Sequence, residues 1–272
     1  MKLPDKLKSL AVNDQGFTLL DLLVVLGVIA VLLVIQLPVL AGSKSQSKLG
    51  ICASHVRQLA LACQIYANDN GDRLPVLTGG ASWPFDLPAP AADQLLRSGT
   101  EKQTFYCPGT APRFTDKVNW SGPGMGANST LWNFAVTANP PAATDFHVIG
   151  YALALSGSAS ILNQTNQNTS IQPERITLSG KSVLVPASGR VLVADATISQ
   201  FGNLPGYANP GNNYISLPDG FQQNGLVYPQ LSPHLKGNIP VGGNLGFKDG
   251  HVAWRKFELM TPRTDIDWCF WW

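Results

Sequence analysis

Residues 16–40, GFTLLDLLVVLGVIAVLLVIQLPVL, decide the reading of this chain. From Leu22 to Ile35 every residue is apolar or glycine, and Phe17 to Leu20 extend the run beyond Asp21. About 20 apolar residues in a helix, at 1.5 Å each, cross the roughly 30 Å hydrocarbon core of a bilayer. The acid breaks the pattern, because a carboxylate at the bilayer centre costs roughly 2.5–3.5 kcal/mol on insertion scales. Two plain readings compete. A cleavable secretory signal has an apolar core of only about 7–15 residues and a small-residue cleavage site, which Ala41-Gly42-Ser43 would loosely supply. A simple anchor accounts for the length but not for Asp21, nor for the abrupt polar-to-apolar border at Gly16/Phe17.

The segment Gly16-Phe17-Thr18-Leu19-Leu20-Asp21-Leu22-Leu23 resembles the class III signal of type IV prepilins and type II secretion pseudopilins. The resemblance implies cleavage between Gly16 and Phe17 by a prepilin peptidase, with methylation of the new Phe17 terminus. It assigns Asp21 an assembly role as the fifth residue of the mature chain, where the family carries Glu. It gives Pro38, 21 residues after Phe17, the place of the kinking proline of these helices. Residues 1–16 are then a leader, 17–42 a transmembrane and filament-core helix, and 43–272 a globular domain. Lys2, Lys6 and Lys8 outnumber Asp5 and Asp14 in the leader, which favours keeping that end cytoplasmic. The expected location is a single-pass inner-membrane protein with its C-terminal domain periplasmic or extracellular.

Composition agrees with an exported, loop-rich domain. Charged residues make up only 13% of the chain, against 26 glycines and 20 prolines. A net charge of +2 gives no global electrostatic case for nucleic acid. The 272 residues allow the N-terminal segment plus one domain of ordinary size.

Beyond Gly42, the residues Leu49, Cys52, Val56, Leu59, Cys63 and Tyr66 recur at helical spacing, one apolar stripe on an amphipathic helix over about 43–69. Asn68-Asp69-Asn70-Gly71-Asp72 reads as its end, a better account of these residues than a calcium loop. A short helix is expected at Ala91 to Arg97. Thr104-Phe105-Tyr106-Cys107-Pro108 reads as a short strand ending at a proline, and Phe146 to Leu155 as strand. Ile176 to Ala187 and Arg190 to Ala196 read as a strand pair about Ser188-Gly189. Asp249-Gly250, between apolar-alternating arms, signals a type I′ hairpin turn. The aromatic tail Trp268 to Trp272 reads either as packing on the sheet or as a contact surface. The expected fold is α+β: a long N-terminal hydrophobic helix packed on a small antiparallel sheet with long loops.

Cys52 and Cys63 lie about 16 Å apart along one helix and cannot bridge each other. Cys52 to Leu59, the Tyr66 to Gly71 turn, the Cys107-Pro108 step and Asp249-Gly250-His251-Val252 resemble a branch of pilin-like proteins abundant in planctomycete and verrucomicrobial bacteria. That resemblance favours a Cys52–Cys107 disulfide, with two buried free thiols as the alternative. The branch carries a His followed after nine residues by Asp-Gly. Here fourteen residues separate His234 from Asp249, so the hairpin matches and the spacing departs.

No hydrolase, kinase or dinucleotide signature is present, and an enzyme is not expected. No cofactor is expected either, although pseudopilins leave a calcium site open. A metal site from His234, His251, Asp195 and Asp249 is conceivable but not favoured. The resulting expectation is a pilin-like structural subunit with a prepilin peptidase, other pilin or pseudopilin subunits and the inner membrane as partners. The alternative is a tethered ligand-binding protein in which Trp83, Trp120 and Trp132 would suit stacking on sugars, although core packing is the favoured reading of each.

Overall fold

The computed structural model describes residues 18–272 apart from 78–82, 112, 118, 121–128, 134–135, 137–140, 158–161, 201–212, 216, 224–225 and 265–267. Gly16 and Phe17, the expected processing site, lie outside the described residues. Helix α1 spans Leu19–Asp69, and its backbone continues through Pro38. The chain divides into two compact units, Met1–Gln46 and Ser47–Trp272.

In the first unit, α1 opens on a reciprocal cap. Thr18 N donates to the Asp21 carboxylate at 3.0 Å, and Asp21 N donates to Thr18 Oγ1 at 3.2 Å. This is the capping-box arrangement, which satisfies two backbone donors that a helix start leaves open. From Leu19 to Val34 the large apolar side chains are exposed on every side of the helix.

Two expectations are corrected here. Among the described residues no helix is long and apolar enough to cross a membrane, which goes against a transmembrane segment and a single-pass inner-membrane location. The described apolar side chains beyond Asp21 run from Leu22 to Val34, a rise of about 20 Å against the roughly 30 Å required. Nor is the fold a long hydrophobic helix lying on one small sheet. The helical residues buried in the second unit belong to the amphipathic stretch, and the strands are spread over one four-stranded sheet and several two-stranded pairs.

In the second unit Cys52, Val56, Leu59 and Cys63 form the buried stripe of α1, joined by Ala60 and Ala67, while Tyr66 is only half-buried. The helix stops where Gly71 and Asp72 both turn to positive φ and Asn70 Nδ2 donates to the Tyr66 carbonyl at 2.8 Å. Strands β1 (Tyr151–Leu153), β2 (Val191–Asp195), β3 (Gly242–Phe247) and β4 (Val252–Lys256) form the antiparallel sheet in the order β4-β3-β2-β1. Helix and sheet approach closely: a Cβ built on Gly246 in β3 would lie 2.8 Å from Val56 Cγ1. Helix α2 (Ala89–Arg97) falls two residues earlier than the expected start.

Three local readings change. Phe105 closes a 3-10 turn (Lys102–Phe105), and only Tyr106 after it is extended. Glu174–Leu178 pairs with Lys181–Val185 about Ser179-Gly180, both at positive φ, while Ala187–Gly189 forms a 3-10 turn and β2 joins the central sheet. The β3–β4 connection is not type I′. Gly250 N donates to Phe247 O at 2.9 Å, Phe247 N to His251 O at 3.0 Å, and of the loop residues Gly250 alone has positive φ, at 86°. This is a three-residue loop, a turn followed by a left-handed residue. Replacing Gly250 with Ala is expected to destabilise the fold by about 1 kcal/mol, because a Cβ is strained at that φ. Urea unfolding of the variant checks it.

The aromatic tail packs into the second unit. Trp268–Phe270 pairs with Ile198–Gln200, Trp271 Nε1 donates to Ser199 Oγ at 2.8 Å, and Trp271 and Trp272 are buried.

Candidate metal centre

Four elements deliver one ligand each to a single buried point. Cys52 comes from the buried stripe of α1. Cys107 follows extended Tyr106, whose hydroxyl donates to Val148 O at 2.7 Å. The chain then turns so that Thr110 N and Oγ1 both reach Cys107 O. Asp195 ends β2, opposite Tyr151 of β1. His234 precedes a short strand (Leu235–Lys236) and holds a positive φ of 55°, a conformation uncommon for residues other than glycine.

The four donor atoms all lie within 4.8 Å of one another, and all four residues are buried. The Cys52 and Cys107 sulfurs are 3.0 Å apart, as thiols. Cys52 Sγ lies 2.8 Å from Asp195 Oδ1, His234 Nε2 lies 3.2 Å from Asp195 Oδ2, and Cys107 Sγ lies 3.5 Å from His234 Nε2. Around them stands a ring of donors. Gly109 N reaches Cys107 Sγ at 3.3 Å, the Tyr151 hydroxyl lies 3.4 Å from Cys52 Sγ, and Asn244 offers N and Nδ2 to Asp195 Oδ2 at 2.6 and 3.1 Å. A Cβ on residue 109 would press on both His234 Nδ1, at 3.1 Å, and Cys107 Sγ, at 3.2 Å, so glycine there lets the loop close over the cluster.

Burial pushes the Cys52 thiol well up, and the neighbouring Cys107 and Asp195 add to it. Burial also opposes charge on His234, but Asp195 and Cys52 outweigh it and hold the imidazolium up to about 10. The arrangement is not a nucleophilic triad. In such a relay the two imidazole nitrogens serve different partners, whereas here Nε2 faces both Cys107 and Asp195. A buried thiol with a raised pKa is also a poor nucleophile.

The sequence-based candidates divide between two places. Cys52 and Cys107, read as a disulfide or as two buried free thiols, lie side by side as free thiols. His234 and Asp195 join them, whereas Asp249 and His251 sit on the exposed β3–β4 loop, bonded to each other at 2.5 Å, with His251 stacked on Phe247. His55 and His147 bond the backbone carbonyls of Tyr106 and Trp132. Trp132 is buried and stacked on His147, and the half-buried Trp83 is stacked on Phe85. The side chain of Trp120 lies outside the described residues.

A second polar cluster lies under the β3–β4 loop. The buried Lys248 Nζ reaches Glu174 Oε2 at 3.1 Å and Gln172 O at 2.9 Å. Arg190 bonds Asn168 Oδ1 at 2.9 Å and the carbonyls of Thr165 and Gln167, and Asn168 Nδ2 in turn reaches Ala154 O and Val191 O. Its cations are fully engaged by protein, which makes this a structural latch. Comparison with protein-family models, with curated proteins and with solved structures finds no match to this chain.

Proposed function

We propose that the chain is a pilin-like structural subunit, cut between Gly16 and Phe17 by a prepilin peptidase and assembled with further subunits through the start of α1. The observation that carries the reading is that opening of the helix. In the sequence a polar stretch ends at Gly16, and the helix that starts at Leu19 carries large apolar side chains, Leu19 to Val34, that stand 46% or more exposed. Such a surface calls for a cover, and like helices packed side by side supply one. The single acid in this stretch stands within the first turn, bonded to Thr18. A freed Phe17 amine on a neighbouring subunit is the natural partner for its charge once water is excluded.

The mass of the N-terminal peptide from the native host tests the processing step. A peptide starting at N-methylated Phe17 is expected, and an intact Met1 start would overturn the reading. One substitution separates capping from charge. Asp21→Asn keeps an oxygen able to accept from Thr18 but removes the charge. It is expected to abolish filament formation while leaving the melting of the second unit unchanged. Filaments of normal yield from Asp21→Asn would assign the acid to helix capping alone.

A further inference from the structure

We propose that Cys52, Cys107, Asp195 and His234 bind one zinc ion as a closed structural site in the second unit of the chain. The donor set is two sulfurs, one imidazole nitrogen and one carboxylate oxygen, brought together from four separate places in the chain, with 143 residues between Cys52 and Asp195 and His234 further on still. Thiolate with imidazole suits zinc. Calcium and magnesium require oxygen ligands, so this set speaks against calcium here. Tetrahedral zinc with bonds of about 2.0–2.3 Å sets ligand edges of about 3.3–3.8 Å. The His234–Asp195 and His234–Cys107 spacings of 3.2 and 3.5 Å already lie near that range. The Cys52–Cys107 and Cys52–Asp195 edges, at 3.0 and 2.8 Å, need to open by less than about 1 Å.

Charge and protons balance. Zinc entry releases the two thiol protons and any proton on His234 Nε2. This leaves two thiolates, one carboxylate and a neutral imidazole around a 2+ ion, a net charge of about −1. That excess negative charge is met by the Gly109 and Asn244 donors and the Tyr151 hydroxyl, which bond the ligand atoms from outside the cluster. Outer donors of this kind orient ligands and temper their charge in metal sites. All four positions around the ion are protein and all are buried, so no coordination position is left for substrate, as in structural rather than catalytic zinc sites. The ion would join α1 to β2 and to two loops that otherwise carry little regular structure. This inference stands apart from the filament reading, which concerns the first unit.

The test uses the full chain, purified under reducing conditions with zinc in the medium. Native mass spectrometry is expected to show one zinc per chain. After chelation, one equivalent of cobalt(II) is expected to give a thiolate-to-cobalt charge-transfer band and the strong visible absorption of a tetrahedral ion. His234→Ala and Asp195→Asn are expected to lower metal affinity by at least about 10-fold, the lower end of what loss of even an outer donor does. Cys63→Ser, at another buried cysteine of α1, is expected to keep the metal. The cobalt readout needs only the unmutated chain, so it holds even where a variant fails to fold. A reduced, folded chain that takes up neither zinc nor cobalt overturns the proposal. So does a chain that carries a Cys52–Cys107 disulfide and, once reduced, gives no thiolate band.

Discussion

Lys248→Ala is expected to destabilise the second unit by about 3 kcal/mol, the lower end of what removing one partner of a buried ion pair costs. Lys248 has no exposed side-chain surface, and its ammonium meets Glu174 and the Gln172 carbonyl. Removal leaves Glu174 with Arg190 at 3.5 Å as its remaining cation among the described residues, beside the Thr169 and Ser170 amides. Gln64 Nε2 also donates to Lys248 O at 2.8 Å, so the residue ties the loop to α1 through its backbone, a bond the alanine variant keeps. The measurable loss is therefore that of the ammonium. Lys248→Met, which fills the same buried space without charge, is expected to recover part of the packing and none of the ion pair. Chemical denaturation of the three proteins at pH 7 separates the two contributions.

The same latch sets a pH dependence. Burial alone would raise the Glu174 carboxyl, but Lys248, helped by the Thr169 and Ser170 amides, outweighs it and holds the pKa below the ordinary 4.5. A carboxyl depressed in the folded state contributes stability that is present above its unfolded value and lost as pH falls through its folded one. Stability is thus expected to decline with acid from about pH 4.5 downward. Glu174→Gln is expected to be less stable at neutral pH and to show a shallower acid decline. An identical acid slope in the two proteins would assign the dependence to other groups.

What the sequence made legible follows from the range of each interaction. The stripe from Cys52 to Cys63 and the Asn68–Asp72 stop are short-range features, and both stand where periodicity and turn chemistry place them. Strand pairing is long-range. The expected turn was Ser188-Gly189, whereas the hairpin turns at Ser179-Gly180. The choice between them depends on where β2 finds its partners, which lie 40 or more residues away in β1 and β3. Asp249-Gly250 marked a turn but not its type, since the loop closes over three residues, Lys248 to Gly250, with only the glycine at positive φ. The apolar run at 16–40 spoke for a membrane span by composition, yet no described helix meets that requirement. At the candidate site, Cys52 and Cys107 could be paired by resemblance. Asp195 and His234 could not be joined to them, because the ligands share no local spacing and converge only through the sheet. The residue-spacing signal that reveals compact zinc motifs is absent when each ligand rides on a separate element.

Phe270→Ala is expected to cost about 3–5 kcal/mol, the range for deleting a buried aromatic side chain. Phe270 is fully buried, with its ring 5.4 Å from Phe85 and 6.4 Å from Trp83. Its backbone is held as firmly: its N donates to Thr264 Oγ1 at 3.1 Å, its carbonyl accepts from Arg263 N at 2.8 Å, and its strand pairs it with Ile198. At roughly 2–4 °C per kcal/mol for a domain of this size, the melting temperature should fall by about 10 °C. A tail that served instead as a contact surface would behave differently. The variant would then melt with the parent chain and lose only a partner. The half-buried Trp83 supplies an internal reporter, since removal of the neighbouring ring lets water reach the indole and shifts its emission to the red. Loss of stability together with that shift assigns the tail to the core.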